Sequence, residues 1–197
     1  ADRLCNTLQR LLNENRMLTQ NISSLEQRNL VDSLTGLGNP RYLQQKLNDC
    51  LRQVESRGGA LLHLVTGLRD GEAMRRQYGT GFWNEVLQGV ARRLQQLVRP
   101  LDVLTRVDDT HFGMIAMLDD LHEWSPSSFR RLHEGLNLKA FKTSEGFISL
   151  KAGISLVGLD AKSLPVEPHY LFAEASRVLP ESYASGRVSA LRLPLPQ

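Results

Sequence analysis

Leu4, Leu11, Leu18 and Leu25 stand seven residues apart in an opening stretch of 31 residues that holds neither proline nor glycine. Leu8, Asn15, Ile22 and Asn29 repeat at the same spacing between them. A repeat of seven gathers the apolar side chains into one seam along a helix, and such a seam needs a cover. With the leucines at heptad position d and the second set at a, the pattern predicts a parallel two-stranded coiled coil. Asparagine at a pairs with itself across a dimer, fixing register and disfavouring trimers at a cost in stability. The alternative is one amphipathic helix lying on its own domain. Charges at e and g are sparse, so the coil is short and weak and relies on what is attached to it; Cys5 falls at e. Gly36, Gly38 and Pro40 then stop the helix. The division is a dimerisation stalk over 1–31, with Leu4, Leu8, Leu11, Asn15, Leu18, Ile22 and Leu25 as its seam, and a globular domain over 32–197.

The remaining length suits one domain, and 41% hydrophobic against 23% charged residues is enough apolar material for a core. A net charge of +3, with the basic residues dispersed, gives no footprint for nucleic acid. No apolar run approaches the ~20 residues of a membrane span, and no signal-peptide pattern opens the chain. Cys5 and Cys50 have neither metal spacing nor a disulfide framework. A cytoplasmic setting is expected, with the chain a part of a larger or membrane-anchored protein as a further option.

Past the stalk, elements alternate. Helices are predicted over 41–57, 71–76, 82–98, 127–136 (with serine as its cap) and 168–185, and strands over 60–65, 147–157 and 188–193. Residues 103–107 and 112–117 flank a tight polar turn and read as a hairpin. This is an α/β arrangement, an α+β sandwich around a mixed sheet.

Several motifs within it resemble the diguanylate cyclase (GGDEF) family. Asp32-x-Leu34-Thr35-Gly36-Leu37-x-Asn39-x-Arg41 matches its opening DxLTGLxNxR, and Tyr78-Gly79 followed by Glu85-Val86-Leu87 matches an internal segment. Arg99-x-x-Asp102, Phe112, Gly153 and Gly186-Arg187 follow in order. The resemblance covers 32 to about 193 and implies a central mixed five-stranded sheet surrounded by helices, similar to adenylyl cyclases.

Members of that family use two-metal phosphoryl transfer, with a glycine hairpin admitting the triphosphate of GTP. Here the signature positions hold Asp108, Asp109, Thr110, His111 and Phe112. Two carboxylates replace the hairpin glycines, and at ~4 Å with a dielectric near 20 each repels a phosphate charge by about 4 kcal/mol. By the same alignment the first metal carboxylate becomes Gly67, the following Phe-Lys pair Gly71-Glu72, the guanine-reading Asn and Asp become Arg75 and Asn84, and a phosphate-touching Lys becomes Tyr183. Asp70 is the one nearby carboxylate that a shifted alignment would offer. The expectation is a domain with no catalytic residues, no metal and no cofactor, and no enzyme; a new metal site at Asp108, Asp109 and His111 is the minor alternative.

The family's RxxD motif binds its product, cyclic di-GMP. Arginine offers planar donors to guanine O6 and N7 or to phosphate, and a carboxylate accepts from guanine N1 and N2. Carried over, this names Arg99 and Asp102, with Arg130 by spacing, Arg131 as its neighbour and Arg106 as a weaker candidate. An Arg and Asp at this spacing also form plain surface ion pairs worth under ~1 kcal/mol. The resulting expectation is a cyclic di-GMP receptor, a homodimer through its coil, controlling an effector protein or an attached domain. The alternative is a nucleotide-independent dimerisation and protein-interaction module.

Overall fold

The structure, a computed structural model, describes the fold of residues 2–193 and, within α1, the side chains up to residue 17. A long helix, α1 (Asp2–Arg28), leads into a turn and then α2 (Pro40–Arg57). There follow β1 (Ala60–Leu68), α3 (Gly71–Tyr78), α4 (Thr80–Leu97), β2 (Val103–Arg106) and β3 (His111–Leu118). The chain closes with α5 (Arg130–Asn137), β4 (Phe141–Thr143), β5 (Gly146–Ile148), β6 (Ala152–Asp160), α6 (Pro168–Ser185) and β7 (Ser189–Arg192). Five strands form one sheet in the order β2-β3-β1-β6-β7, parallel only between β6 and β7. No described helix is long and apolar enough to cross a membrane.

The sheet is covered on both faces, which is why every residue of β1 is buried. Leu62 and Leu64 point to one side and meet α4 through Val86, Leu87, Val90 and Leu94. Leu61 and Val65 point to the other and meet Leu43, Leu47, Leu51 and Val54 of α2 and Leu171, Ala175 and Leu179 of α6. The apolar positions of α2 and α6 recur at helical spacing, so each helix buries a single stripe.

Two predicted elements are drawn differently. Residues 147–157 are not one strand: β5 pairs with β4 in a separate hairpin turned by Gly146 at φ 101°, and β6 begins only at Ala152. The amide of Asn137 brackets that start, donating to the Ala152 carbonyl and accepting from its N–H. The helix expected from residue 127 opens as a 3-10 turn, Pro126–Phe129, before α5. Of the stalk seam, Leu4, Leu8 and Leu11 are exposed, so α1 does not lay them on its own domain. Asn15 is exposed too, while the side chains of Leu18, Ile22 and Leu25 lie outside the described residues.

His63 is fully buried in β1, its Nδ1 at 3.0 Å from the Met114 carbonyl and its Nε2 without a partner among the described residues. Against a carbonyl, Nδ1 must carry the proton, so the ring is the neutral tautomer. Burial pulls its pKa from 6.5 down to about 4, with the Met114 carbonyl opposing only in part. The unfolded chain therefore binds more protons than the folded one between these values, and stability falls as pH drops through that window. Acidification from about pH 6.5 to 4 is expected to remove about 3 kcal/mol through this group. Urea unfolding across that range should show a shallower loss in His63→Leu; equal slopes in both proteins would refute the assignment.

Candidate functional site

The turn between stalk and domain is built on Asp32. Its carboxylate accepts from the Thr35 N–H at 3.0 Å and from the Thr35 hydroxyl at 2.6 Å, closing a turn that Gly36 completes at φ 74°. It also accepts two bonds from Arg106, at 2.7 and 2.8 Å. Burial raises the Asp32 carboxyl, but the bonds from Arg106 and Thr35 outweigh it and hold the group below the ordinary carboxylate value. Asn39 caps α2 by accepting from the Tyr42 N–H and reaches back to donate to the Asn29 carbonyl. Gly38 lies against β2: its N–H meets the Leu104 carbonyl, and its carbonyl accepts from the Arg106 N–H. The opening motif is thus the joint between stalk and sheet, and Arg106, one of the residues proposed for ligand, is committed to that joint.

The signature occupies the tip of the β2–β3 hairpin. Asp108 accepts from the Thr110 N–H at 2.8 Å and lies 2.8 Å from His111 Nδ1. Burial raises the Asp108 carboxyl, while His111 and the Thr110 N–H lower it further, leaving it below its usual value. Asp109 lies 3.5 Å from Arg75 and 3.6 Å from Arg106, and its carbonyl accepts from the Trp83 indole at 2.7 Å. Arg75 in turn holds Glu72 at 3.0 Å. Phe112 is buried in the core, and Asn84 is half-buried on α4. Asp70, ahead of α3, has φ 62°, the one positive value on a non-glycine residue among those described.

Gly67 and Gly153 face each other across β1 and β6, and the Tyr183 ring lies over both. A Cβ at Gly67 would land on the Tyr183 hydroxyl, and one at Gly153 would come within 2.8 Å of the ring edge. Burial pushes the Tyr183 phenol up to about 12, so it is a neutral filler. The space over Gly67 is therefore filled by the Tyr183 side chain. Among the described residues no group of three or more His, Cys, Asp or Glu is placed to hold a metal ion.

The RxxD residues sit in the turn from α4 to β2. Arg99 Nε reaches both Asp102 carboxylate oxygens at 3.3 Å, and the Arg99 N–H donates to the same group at 3.1 Å. The arginine side chain is 59% exposed and the carboxylate 14%. A cavity of about 290 Å³ on one side of the turn brings Arg131 to Arg99 and Asp102. Arg130 is not part of that group; it pairs with Glu134 at 2.8 Å and lines a separate cavity beside His133 and Arg187. A second cavity touching Arg99 and Asp102, of about 720 Å³, opens toward the stalk joint. Sequence reasoning missed Arg93, which donates to the carbonyls of Gly135, Lys139 and Ala140 and stacks 3.6 Å from the Phe141 ring centroid. That is a structural clamp, with no local motif to announce it.

The packing over Gly67 makes a stability prediction. Gly67→Asp should lower thermal stability sharply, and combining it with Tyr183→Ala should recover part of the loss, a coupling of about 1 kcal/mol or more. Additive effects in a double-mutant cycle would show that the ring does not close this position.

The same fold recurs in known proteins. The family model "Diguanylate cyclase, GGDEF domain" matches residues 29–187. Diguanylate cyclase DgcS of Shewanella oneidensis is 25% identical over 158 residues, which are 80% of this chain and 51% of that protein. The chain thus spans about half the length of the curated relative it matches. The coiled coil and GGDEF domain of DgcB from Caulobacter crescentus, solved in complex with c-di-GMP, superposes with a TM-score of 0.79 at 17% identity, covering 95% of this chain and 99% of that one. The FimX GGDEF domain from Pseudomonas aeruginosa gives 0.72 at 16% identity, covering 83% and 98%. Diguanylate cyclase SiaD from the same organism, solved with its activator SiaC, gives 0.72 at 18% identity, covering 97% and 75%. These structures share the fold. The matches also correct one expectation: the replaced signature led to the reading that the chain is no enzyme, and that reading is overturned, because the matching family and the curated relative are diguanylate cyclases. Residue replacement at the signature does not take the chain out of an enzyme family: it belongs to the diguanylate cyclase GGDEF domain family.

Proposed function

We propose that this GGDEF domain is a receptor for cyclic di-GMP, dimerised by its α1 stalk and controlling an effector protein or an attached domain. The observation that carries this reading is the Arg99–Asp102 pair, held in one turn at the mouth of two cavities. In this state each partner satisfies the other. Guanine offers each an alternative partner, acceptors O6 and N7 on one edge for a guanidinium and donors N1 and N2 on another for a carboxylate. An ion pair with an arginine this exposed is worth under ~1 kcal/mol, so exchanging it for ligand carries a small penalty. Arg131 adds a second guanidinium from α5. The DgcB domain solved with c-di-GMP supports the ligand, and SiaD solved with an activator protein supports a protein partner. In the cytoplasm Cys5 and Cys50 would remain the free thiols seen here.

Arg99 is the cleaner residue to remove, because Asp102 also holds the turn by accepting the Arg99 N–H. Titration calorimetry with cyclic di-GMP should show binding that Arg99→Ala weakens by about tenfold or more. Absence of heat with the native protein at tens of micromolar, or an unchanged Arg99→Ala isotherm, would sink the receptor reading. For the stalk, Leu8→Asp with Leu11→Asp places charge in the seam and should convert dimer to monomer in sedimentation equilibrium. A native protein that sediments as a monomer would remove the coil from this picture.

A further inference from the structure

The cavity beside α5 measures about 700 Å³, and neither the signature hairpin nor the RxxD turn lines it. One wall runs through residues 126–138, and the other is Gly186, Arg187 and Val188, between α6 and β7. Small-molecule pockets run about 300–1,000 Å³. Pro126, Val188 and Leu138, the last 75% exposed, supply apolar surface.

Three donors share this lining. Arg187 is set by its backbone: the Ser182 hydroxyl donates to its carbonyl at 2.6 Å, and its N–H donates to the Ser185 hydroxyl at 3.2 Å. Its guanidinium has no hydrogen bond or ion pair among the described residues. Arg130 bonds Glu134 through Nε at 2.8 Å, which offsets the one acidic side chain on the lining. The Asn137 amide is fixed by both backbone groups of Ala152, and its Nδ2 stands 3.3 Å from His133 Nε2. An amide nitrogen only donates, so Nε2 accepts and the imidazole proton lies on Nδ1. Burial holds His133 below its ordinary value against the pull of Glu134, in keeping with a neutral ring. Two arginines and one glutamate therefore leave a single uncancelled positive charge. The ligand that balances it carries one negative charge, and a guanidinium fork matches the two oxygens of a carboxylate.

We infer that this cavity binds a small organic monocarboxylate, with Arg187 on the carboxylate, His133 Nδ1–H as a second donor, and the apolar body of the ligand against Pro126, Leu138 and Val188. The site differs from the cyclic di-GMP reading in its residues and in its ligand, and does not rest on it.

The test uses the full chain and two probes of one shape, phenylacetate and its neutral amide, phenylacetamide, each titrated by nitrogen–proton NMR. Phenylacetate should shift the amide signals of residues 130–138 and 186–188 and approach saturation near about 10 mM, the range of a ligand this small. Phenylacetamide should bind about tenfold or more weakly. Arg187→Ala should lose the same factor with an unchanged melting temperature, because the side chain bonds nothing in the fold. Arg187→Lys should recover only part of it, since an ammonium lacks the fork. Arg99→Ala should titrate as the native protein does. Equal binding of acid and amide, no saturable shift with phenylacetate, or an Arg187→Ala titration identical to the native one would each overturn the site. Shifts abolished by Arg99→Ala would place the acid on the RxxD turn and overturn it as well. A protein that takes phenylacetate here but no cyclic di-GMP would refute the receptor reading and leave this site standing.

Discussion

The ion pair between Asp32 and Arg106 is the constraint on which the rest of this arrangement depends. Both side chains are largely withdrawn from water, 12% and 18% exposed, and the arginine engages both carboxylate oxygens. Removing either partner would leave the other charge half-buried and uncompensated, which is why such pairs are rigid joints even when their net contribution is modest. One guanidinium meets two structures here. Toward the N-terminus it fixes the turn from which α1 departs. Toward the C-terminus its Nη1 reaches the Asp108 carbonyl at 3.2 Å and the Asp109 carboxylate, so the hairpin tip is set by the same group. Stalk direction and signature geometry share a single anchor.

Elements with a clear period were legible from the sequence, among them α2, β1, α4, the β2–β3 hairpin and α6. Their apolar positions repeat because each packs on one side of a doubly covered sheet, and periodicity records that directly. What the period cannot record is the partner. Residues 147–157 read as one apolar run, yet Phe147 is 74% exposed and belongs to a small side hairpin, while the run from Ala152 onward is interior. The break is made by Gly146 and by an amide 15 residues upstream.

The site was legible in the same uneven way. Arg99 and Asp102 are close in sequence and meet, as their spacing implies. Arg106 was the weaker ligand candidate, and the partner that engages it, Asp32, lies 74 residues away in sequence. Arg130 and Arg131 are neighbours on the chain, but a helix turns about 100° per residue, so they diverge. One bonds Glu134 on its own helix, and the other lines the cavity that Arg99 and Asp102 also line. Tyr183 over Gly67 and Gly153 shows the same limit, since three segments distant in sequence settle a single contact.

The Gly38 contact has a consequence for assembly. β2 is the outermost strand of the sheet, and its free edge would ordinarily present N–H and carbonyl groups to any passing strand. The loop at Gly38 takes two of them, the Leu104 carbonyl and the Arg106 N–H, leaving an edge of only four residues with little left to recruit. By blunting this edge, the same short loop that leads from α1 into the domain also disfavours strand-to-strand pairing between copies of this chain.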